Sequence, residues 1–280
     1  MKNCIRLLAI AVLTALLAAA PALAAAPGAA AGGDKAASPA EATPDADLLR
    51  SAYGGGESLL YSVSWLGIKA GELLMQVVRP AGAGDVFLIE VTVKSAGLLA
   101  VLYPVEDHFI TTVSGASRLP RRHEMVQKEG SRKNNKVTIY EQEHGRITYT
   151  KNDDAPEIFT VDGPVHNEFS AFLFMRVMPF TMGEKTVLPT FADEKRHRVA
   201  VSLEGRQTLA TLFGQRETIE VKPHLTFKGL SQKVGDPRIW LTDDPARIPV
   251  KIKAEIVIGS LTAELIAYQG PSGSFTAADR

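Results

Sequence analysis

LLYSVSWLGIKAGELLMQVV, residues 59–78, carries apolar side chains at every second position of its first half: Leu59, Tyr61, Val63 and Trp65 alternate with Leu60, Ser62 and Ser64. A period of two places one set of side chains on each face of a strand, whereas a helix would repeat every three to four residues. Residues 73–78 follow after a Gly-containing turn, and VFLIEVTV, residues 86–93, repeats the pattern with β-branched and aromatic side chains. Three such runs at about ten-residue spacing predict an antiparallel meander.

Outward from this stretch the signal persists. Further strands are predicted at 108–113, 121–128, 136–143, 146–151, 157–161, 198–204, 208–213, 216–221, 239–241, 250–258 and 261–268. Turn residues separate several of them, including Asn134 and Asn135, His144-Gly145 and the two-residue loop Gly259-Ser260. One segment reads clearly as helix. VHNEFSAFLFMRVM, residues 165–178, begins after Asp162-Gly163-Pro164, stops at Pro179 and is apolar on nearly every face. Such a helix is buried in a core or roofs an apolar cavity, and about 14 residues cannot cross a bilayer. Residues 96–102 read as a helical turn or an apolar loop. The fold class that follows is mainly β: a large curled antiparallel sheet, barrel or half-barrel, lipocalin-like or lipoprotein-carrier-like, around one central apolar helix.

The N-terminus has a different character. Lys2 and Arg6 precede an apolar run from Leu7 to Ala20, and Ala22-Leu23-Ala24 fits the small-x-small pattern of signal cleavage, so residues 1–24 read as a secretory signal peptide. The alternative is a retained anchor, for which the run is short. Residues 25–46 are an Ala/Gly/Pro leader too poor in large apolar groups to order itself. Residues 47–269 then form a single β-rich domain and 270–280 a loose tail. Cys4 lies before the apolar run and leaves with the signal, so the mature chain is expected to hold no disulfide, lipid anchor or thiolate-bound metal. Losing Lys2 and Arg6 from 31 basic groups leaves 29 against 31 acidic ones, a formal charge of −2 that gives no sign of a nucleic-acid partner.

Motifs for catalysis are absent. There is no H-E-x-x-H, G-x-S-x-G or phosphate-binding Gly-Lys-Ser/Thr loop. His166 and Glu168 form an H-x-E pair without the cysteines a zinc deaminase needs. The six His are scattered, and no cofactor or metal is expected. Basic residues around Arg118–Lys136 and Lys195–Arg198 fit a solvated sheet edge, or else a patch for anionic headgroups. The apolar run Leu98, Leu99, Val101, Leu102, Tyr103 and the Phe-rich helix fit core packing, or else the lining of a ligand cavity. On the second reading Phe169, Phe172, Phe174, Leu98, Leu102, Tyr103 and Trp65 are the ligand-binding residues.

The segments Tyr61 to Glu72, Ser95 to Asp107 with its Leu-Tyr-Pro-Val-Glu-Asp core, Arg118-Leu119-Pro120, Asn167 to Arg176, Trp240 to Asp244, Arg247 to Val250 and Gly259-Ser260 give the chain its resemblance to a bacterial exported family, domain of unknown function 3108. The resemblance implies an envelope protein with a β-rich fold and brings no established activity; the expected cleaved signal peptide points to the periplasm. The family helix usually opens with Asp-Pro before Ser-Ala; here Asn167-Glu168 precede Ser170-Ala171, which suits a helix cap and excludes a carboxylate base at that position.

Asp243-Asp244-Pro245 lies between two strands and is read as a turn, with Arg247 able to pair with either Asp. Three functions remain in view. The first is non-enzymatic binding of a hydrophobic or lipid-like envelope molecule. The second is envelope assembly through a protein partner at a sheet edge. The third is hydrolysis of envelope glycan or lipid, which requires Asp107, His108, Asp243 or Asp244 to converge.

Overall fold

The computed structural model describes residues 44, 46–192, 194–224, 237–256 and 259–277. The expected signal segment with Cys4, nearly all of the expected leader, and Val257 and Ile258 of the expected 250–258 strand lie outside them.

Among the described residues, fifteen strands form one antiparallel sheet. In chain order they are β1 Glu57–Trp65, β2 Ile68–Val78, β3 Val86–Ser95, β4 Val105–Ser114, β5 Leu119–Glu129, β6 Arg132–Glu141, β7 Arg146–Lys151, β8 Glu157–Thr160, β9 Lys185–Ala192, β10 Lys195–Thr211, β11 Gly214–His224, β12 Arg238–Thr242, β13 Pro249–Glu255, β14 Ser260–Gly270 and β15 Gly273–Thr276. The helices are α1 Ala46–Tyr53, α2 Gly97–Leu102 and α3 Glu168–Met175. Strands β1 to β8 run as one meander and β9 to β14 as another. Pairing of β1 with β14 joins the two into a single curved sheet whose free edges are β8 and β9.

Alternation does what the sequence predicts. Leu59, Tyr61 and Val63 of β1, Leu73, Met75 and Val77 of β2, and Phe87, Ile89, Val91 and Val93 of β3 all point into the core. Bulges at Leu60/Tyr61, Val63/Ser64, Thr112/Val113, Leu203/Gly205 and Trp240/Leu241 bend the strands that carry them, which lets a long sheet curl. At Gly71 the opposite strand lies so close that a Cβ would stand 2.4 Å from the Lys94 carbonyl oxygen, leaving room for glycine alone.

The sheet wraps around α3. Its apolar helix is shorter than expected because Val165 and His166 lie outside it, His166 forming a parallel bridge to Thr190 of β9. There the chain joins β9 to Gln142, just past the end of β6. The Gln142 amide imitates a strand backbone, donating to the carbonyls of Pro120 and Val165 and accepting the Val165 amide.

Three further differences have physical reasons. Strand β9 was not expected; it contains Pro189, which its place at the edge of the sheet tolerates. Residues 198–204 and 208–213, expected as two strands, fall largely within the single β10, bent by the bulge near Gly205. The tail expected to be loose instead includes β15, paired with β14, and Phe275 packs edge-on against Phe213 with ring centroids 5.0 Å apart.

Candidate functional site

The meander gives the sheet two rims. The upper rim carries the turns after β1, β3 and β5 and the β9–β10 turn; the lower carries the turns after β2, β4, β6 and β12.

Large apolar side chains are exposed together on the upper rim. Leu66 and Ile68 flank Gly67 in the β1–β2 turn, and Leu98, Val101 and Leu102 lie along α2, all more than half exposed and Val101 at 79%. The two segments are held side by side: Ala96 N–H donates to the Ala70 carbonyl at 2.9 Å. Helix α2 buries none of its residues fully, although Leu99 leans on the core. Tyr103 is half-buried over Gly130, and Trp65 is half-buried at the base of the rim. Of the residues expected to bind ligand, Leu98, Leu102, Tyr103 and Trp65 therefore gather on or beside one surface.

Phe169, Phe172 and Phe174 are elsewhere. They lie on α3 with 2–5% exposure, packed into the main core cluster, and so fill the interior. Phe169 sits 5.1 Å from Phe109, and Phe174 is 4.6 Å from His166 between ring centroids. The helix is started by Asn167, whose side chain accepts the Ser170 amide while Ser170 Oγ accepts the Asn167 amide, as the departure from the family pattern implied.

Beyond the helix N-terminus a cleft of about 60 Å³ opens between β5–β7 and β9. Its lining includes His123, Lys136, Tyr140, Tyr149, Glu168 and Phe191. His123 is buried and its pKa is pushed down to about 4, by desolvation first and by Lys136 second, opposed by Glu124 and the Ile110 carbonyl. His166 is buried by the same helix and pushed down to about 3 by desolvation.

At the other end of α3 lies a buried ion pair. Arg176 Nη1 and Nη2 donate to Glu57 Oε2 and Oε1 at 2.6 and 2.9 Å, and the guanidinium also reaches the carbonyls of Ala246 and Arg247. Burial alone would lower the Arg176 pKa; Glu57 outweighs it and raises it. Arg247 in turn donates to the carbonyls of Arg176 and Met178, where the helix leaves acceptors free.

Asp243 and Asp244 form the expected turn. Asp244 Oδ1 accepts from Thr242 Oγ1 and from the amides of Ala246 and Arg247, an Asx-type arrangement, while Asp243 takes Arg206 Nε at 2.8 Å on the surface. Arg247 reaches past this turn to the helix. The four candidate catalytic groups do not converge: Asp107 points inward and His108 outward from β4, and the Asp pair lies on the opposite rim. Among the described residues no three His, Cys, Asp or Glu gather as a metal site would require, and no described helix is long and apolar enough to cross a membrane.

Two features had no motif to reveal them. Arg176 is the one cation in an apolar run, a signal that it needs a buried partner, but nothing marks Glu57 as that partner. His123 carries no signal beyond its place in the alternation of β5.

A family model for proteins of unknown function, DUF3108, matches residues 60–266. The chain belongs to that family. A search of curated proteins returns no match for this DUF3108 chain. Among solved structures, it is similar to a β-barrel-like protein of domain of unknown function DUF1849 from Brucella abortus, with a TM-score of 0.52 at 8% identity over 76% of this chain and 97% of that one. That likeness supports a shared β-barrel-like architecture. The hypothetical protein CT021 from Chlamydia trachomatis matches at a TM-score of 0.35 and 8% identity, over 77% of this chain and 87% of that one. A protein from Bacteroides fragilis, provisionally described as exported and YmcC-like in fold, matches at 0.29 and 11% identity, over 75% and 94%.

Proposed function

We propose that this is an exported periplasmic protein without enzymatic activity, binding a hydrophobic or lipid-like envelope molecule at its upper rim. The observation that carries the reading is the grouping of Leu66, Ile68, Leu98, Val101 and Leu102, five large apolar side chains exposed on adjacent turns. Isolated exposed apolar residues need no explanation, but a contiguous group marks a contact surface. Lys69 and Lys94 at the base of the two segments are paired with Glu72 at 2.6 Å and Glu106 at 3.1 Å, so the contact expected at the rim is with apolar chains. The basic start, apolar run and Ala22-Leu23-Ala24 of the sequence support export. The packing of Phe169, Phe172 and Phe174 into the core favours the rim over the interior as the place of contact.

The test uses Trp65, half-buried beside the rim, with Trp240 in the core as the second tryptophan. Vesicles of phosphatidylethanolamine and phosphatidylglycerol should shift Trp65 emission to shorter wavelength and carry the protein on flotation. The Leu98→Asp/Val101→Asp variant should float free with unchanged unfolding temperature. Equal flotation of both proteins, or of neither, would overturn the reading.

A further inference from the structure

Below the upper rim, charged side chains form one register row across β2 to β6. Glu72 stands opposite Lys94, Lys94 opposite Glu106, Glu106 opposite Lys128, and Lys128 opposite Lys133. Signs alternate along the row until its last step. Lys69 meets Glu72 at 2.6 Å, and Glu106 serves two lysines, Lys94 at 3.1 Å and Lys128 at 3.7 Å, with His108 Nε2 also at 3.7 Å. Among the described residues no ion pair reaches Lys133. The cations nearest the apolar group are therefore matched, and the excess lies at the tip of the β5–β6 hairpin.

Two like charges directly opposite each other on neighbouring strands repel. The hairpin fixes this pairing: Glu129 stands opposite Arg132 across the two-residue turn Gly130-Ser131, which sets exposed Lys128 against exposed Lys133. Lysines guard the free edges of sheets, one of the readings the sequence allowed. The topology removes that reading here, because β5 and β6 are interior strands and the free edges are β8 and β9. Overall charge does not account for the pair either, since the expected mature chain is net negative.

The hairpin tip adjoins the apolar rim. Gly130 N–H donates to the Pro104 carbonyl at 2.8 Å and Tyr103 lies over Gly130, so the chain leaving α2 is fastened to the β5–β6 turn. Leu102, 63% exposed, immediately precedes Tyr103. An acidic peptide would engage the lysines and leave Leu98, Val101 and Leu102 uncovered. A neutral lipid would cover those side chains and leave the lysines unmatched. An anionic phospholipid meets both at once, apolar chains beside a phosphate. We propose that the molecule contacted at the rim is an anionic phospholipid of a membrane surface, its phosphate held between Lys128 and Lys133 and its chains against Leu98, Val101 and Leu102. The proposal rests on the rim being a lipid-contact surface and adds the headgroup to it.

The experiment is flotation of the whole protein with vesicles of phosphatidylcholine alone and of phosphatidylcholine mixed with phosphatidylglycerol. Binding to the mixed vesicles should be about tenfold tighter at low salt, and the difference should vanish at about 1 M salt, where charges are screened within about 3 Å. Lys133→Glu sets a carboxylate opposite Lys128, so the hairpin gains an opposite-charge pair and its unfolding temperature should hold or rise. This variant should bind phosphatidylcholine as the wild type does and show no preference for phosphatidylglycerol. Equal binding of the wild type to both vesicles, or a preference that survives in Lys133→Glu, would overturn the headgroup assignment while leaving the rim as a lipid-contact surface. Binding to neither vesicle would overturn the rim reading and this proposal with it.

Discussion

Glu57 opens the first strand and Arg176 caps the end of the central helix, and the two meet as a bidentate pair 119 residues apart in the chain, with at most 2% of either side chain exposed. Both carboxylate oxygens and both terminal guanidinium nitrogens are used. Such a pair is strong once formed but costly to half-remove, because the surviving charge stays buried alone. Glu57→Gln or Arg176→Met should each lower unfolding free energy by about 3–5 kcal/mol. The double variant should recover a large part of that loss, as measured by urea unfolding in a double-mutant cycle.

The cap of the helix allows a finer test. Asn167→Ala removes the acceptor for the Ser170 amide and should cost about 1–2 kcal/mol in thermal unfolding. Asn167→Asp keeps an acceptor but loses the Nδ2 donor to Thr111, so it should retain helix content while leaving the buried Thr111 oxygen without that donor. A smaller loss for Asp than for Ala is the expected outcome in circular dichroism melts.

Acid should destabilise the protein through its two buried imidazoles. Their folded pKa values of about 4 for His123 and about 3 for His166 lie below the ordinary 6.5, so the unfolded chain takes up protons that the folded chain refuses. Stability is then lost as pH falls below about 6.5, down to about 4 through His123 and on to about 3 through His166. Asp107 acts in the opposite sense: burial pushes its carboxyl from 3.8 up to about 7, so its contribution weakens as pH rises across that window. Denaturant midpoints measured across this range should fall less steeply with acid in His123→Gln, and less with base in Asp107→Asn.

Gly71 tests how tightly strands β2 and β3 are pressed together. The Cβ of Gly71→Ala would meet the Lys94 carbonyl at 2.4 Å, forcing the Gly71–Ser95 pair apart at an expected cost of about 1–3 kcal/mol. Hydrogen exchange at Ala96, bonded to Ala70 one residue away, should accelerate in the same variant.

What the sequence revealed follows the range over which each force acts. Alternation in residues 59–93 is a local signal, and the strands it implied are present with their inner faces buried. The cap at Asn167 and the turn at Asp244 were readable for the same reason, since a side chain there bonds to backbone two or three residues away. Helix α1 and strand β9 were hidden for different reasons: α1 is amphipathic but only eight residues long and is ordered by Ala52 and Tyr53 entering the core, and β9 contains a proline that only an edge allows. The floor of the cleft was out of reach altogether. Thr111, His123 and Asn167 are brought together by strand register and helix placement, and no spacing along the chain encodes such a meeting.

The seam between β1 and β14 sets an order in time. A ribosome delivers β1 among the first folded residues and its partner among the last, and Ser58 pairs with Gln269 only once nearly the whole domain exists. Until then one flank of β1 offers unmet backbone groups to any strand nearby, the situation in which slow, non-local pairing invites aggregation. The first meander therefore keeps an unpaired flank until the second is present, and the step that completes the described sheet is the pairing of β1 with β14.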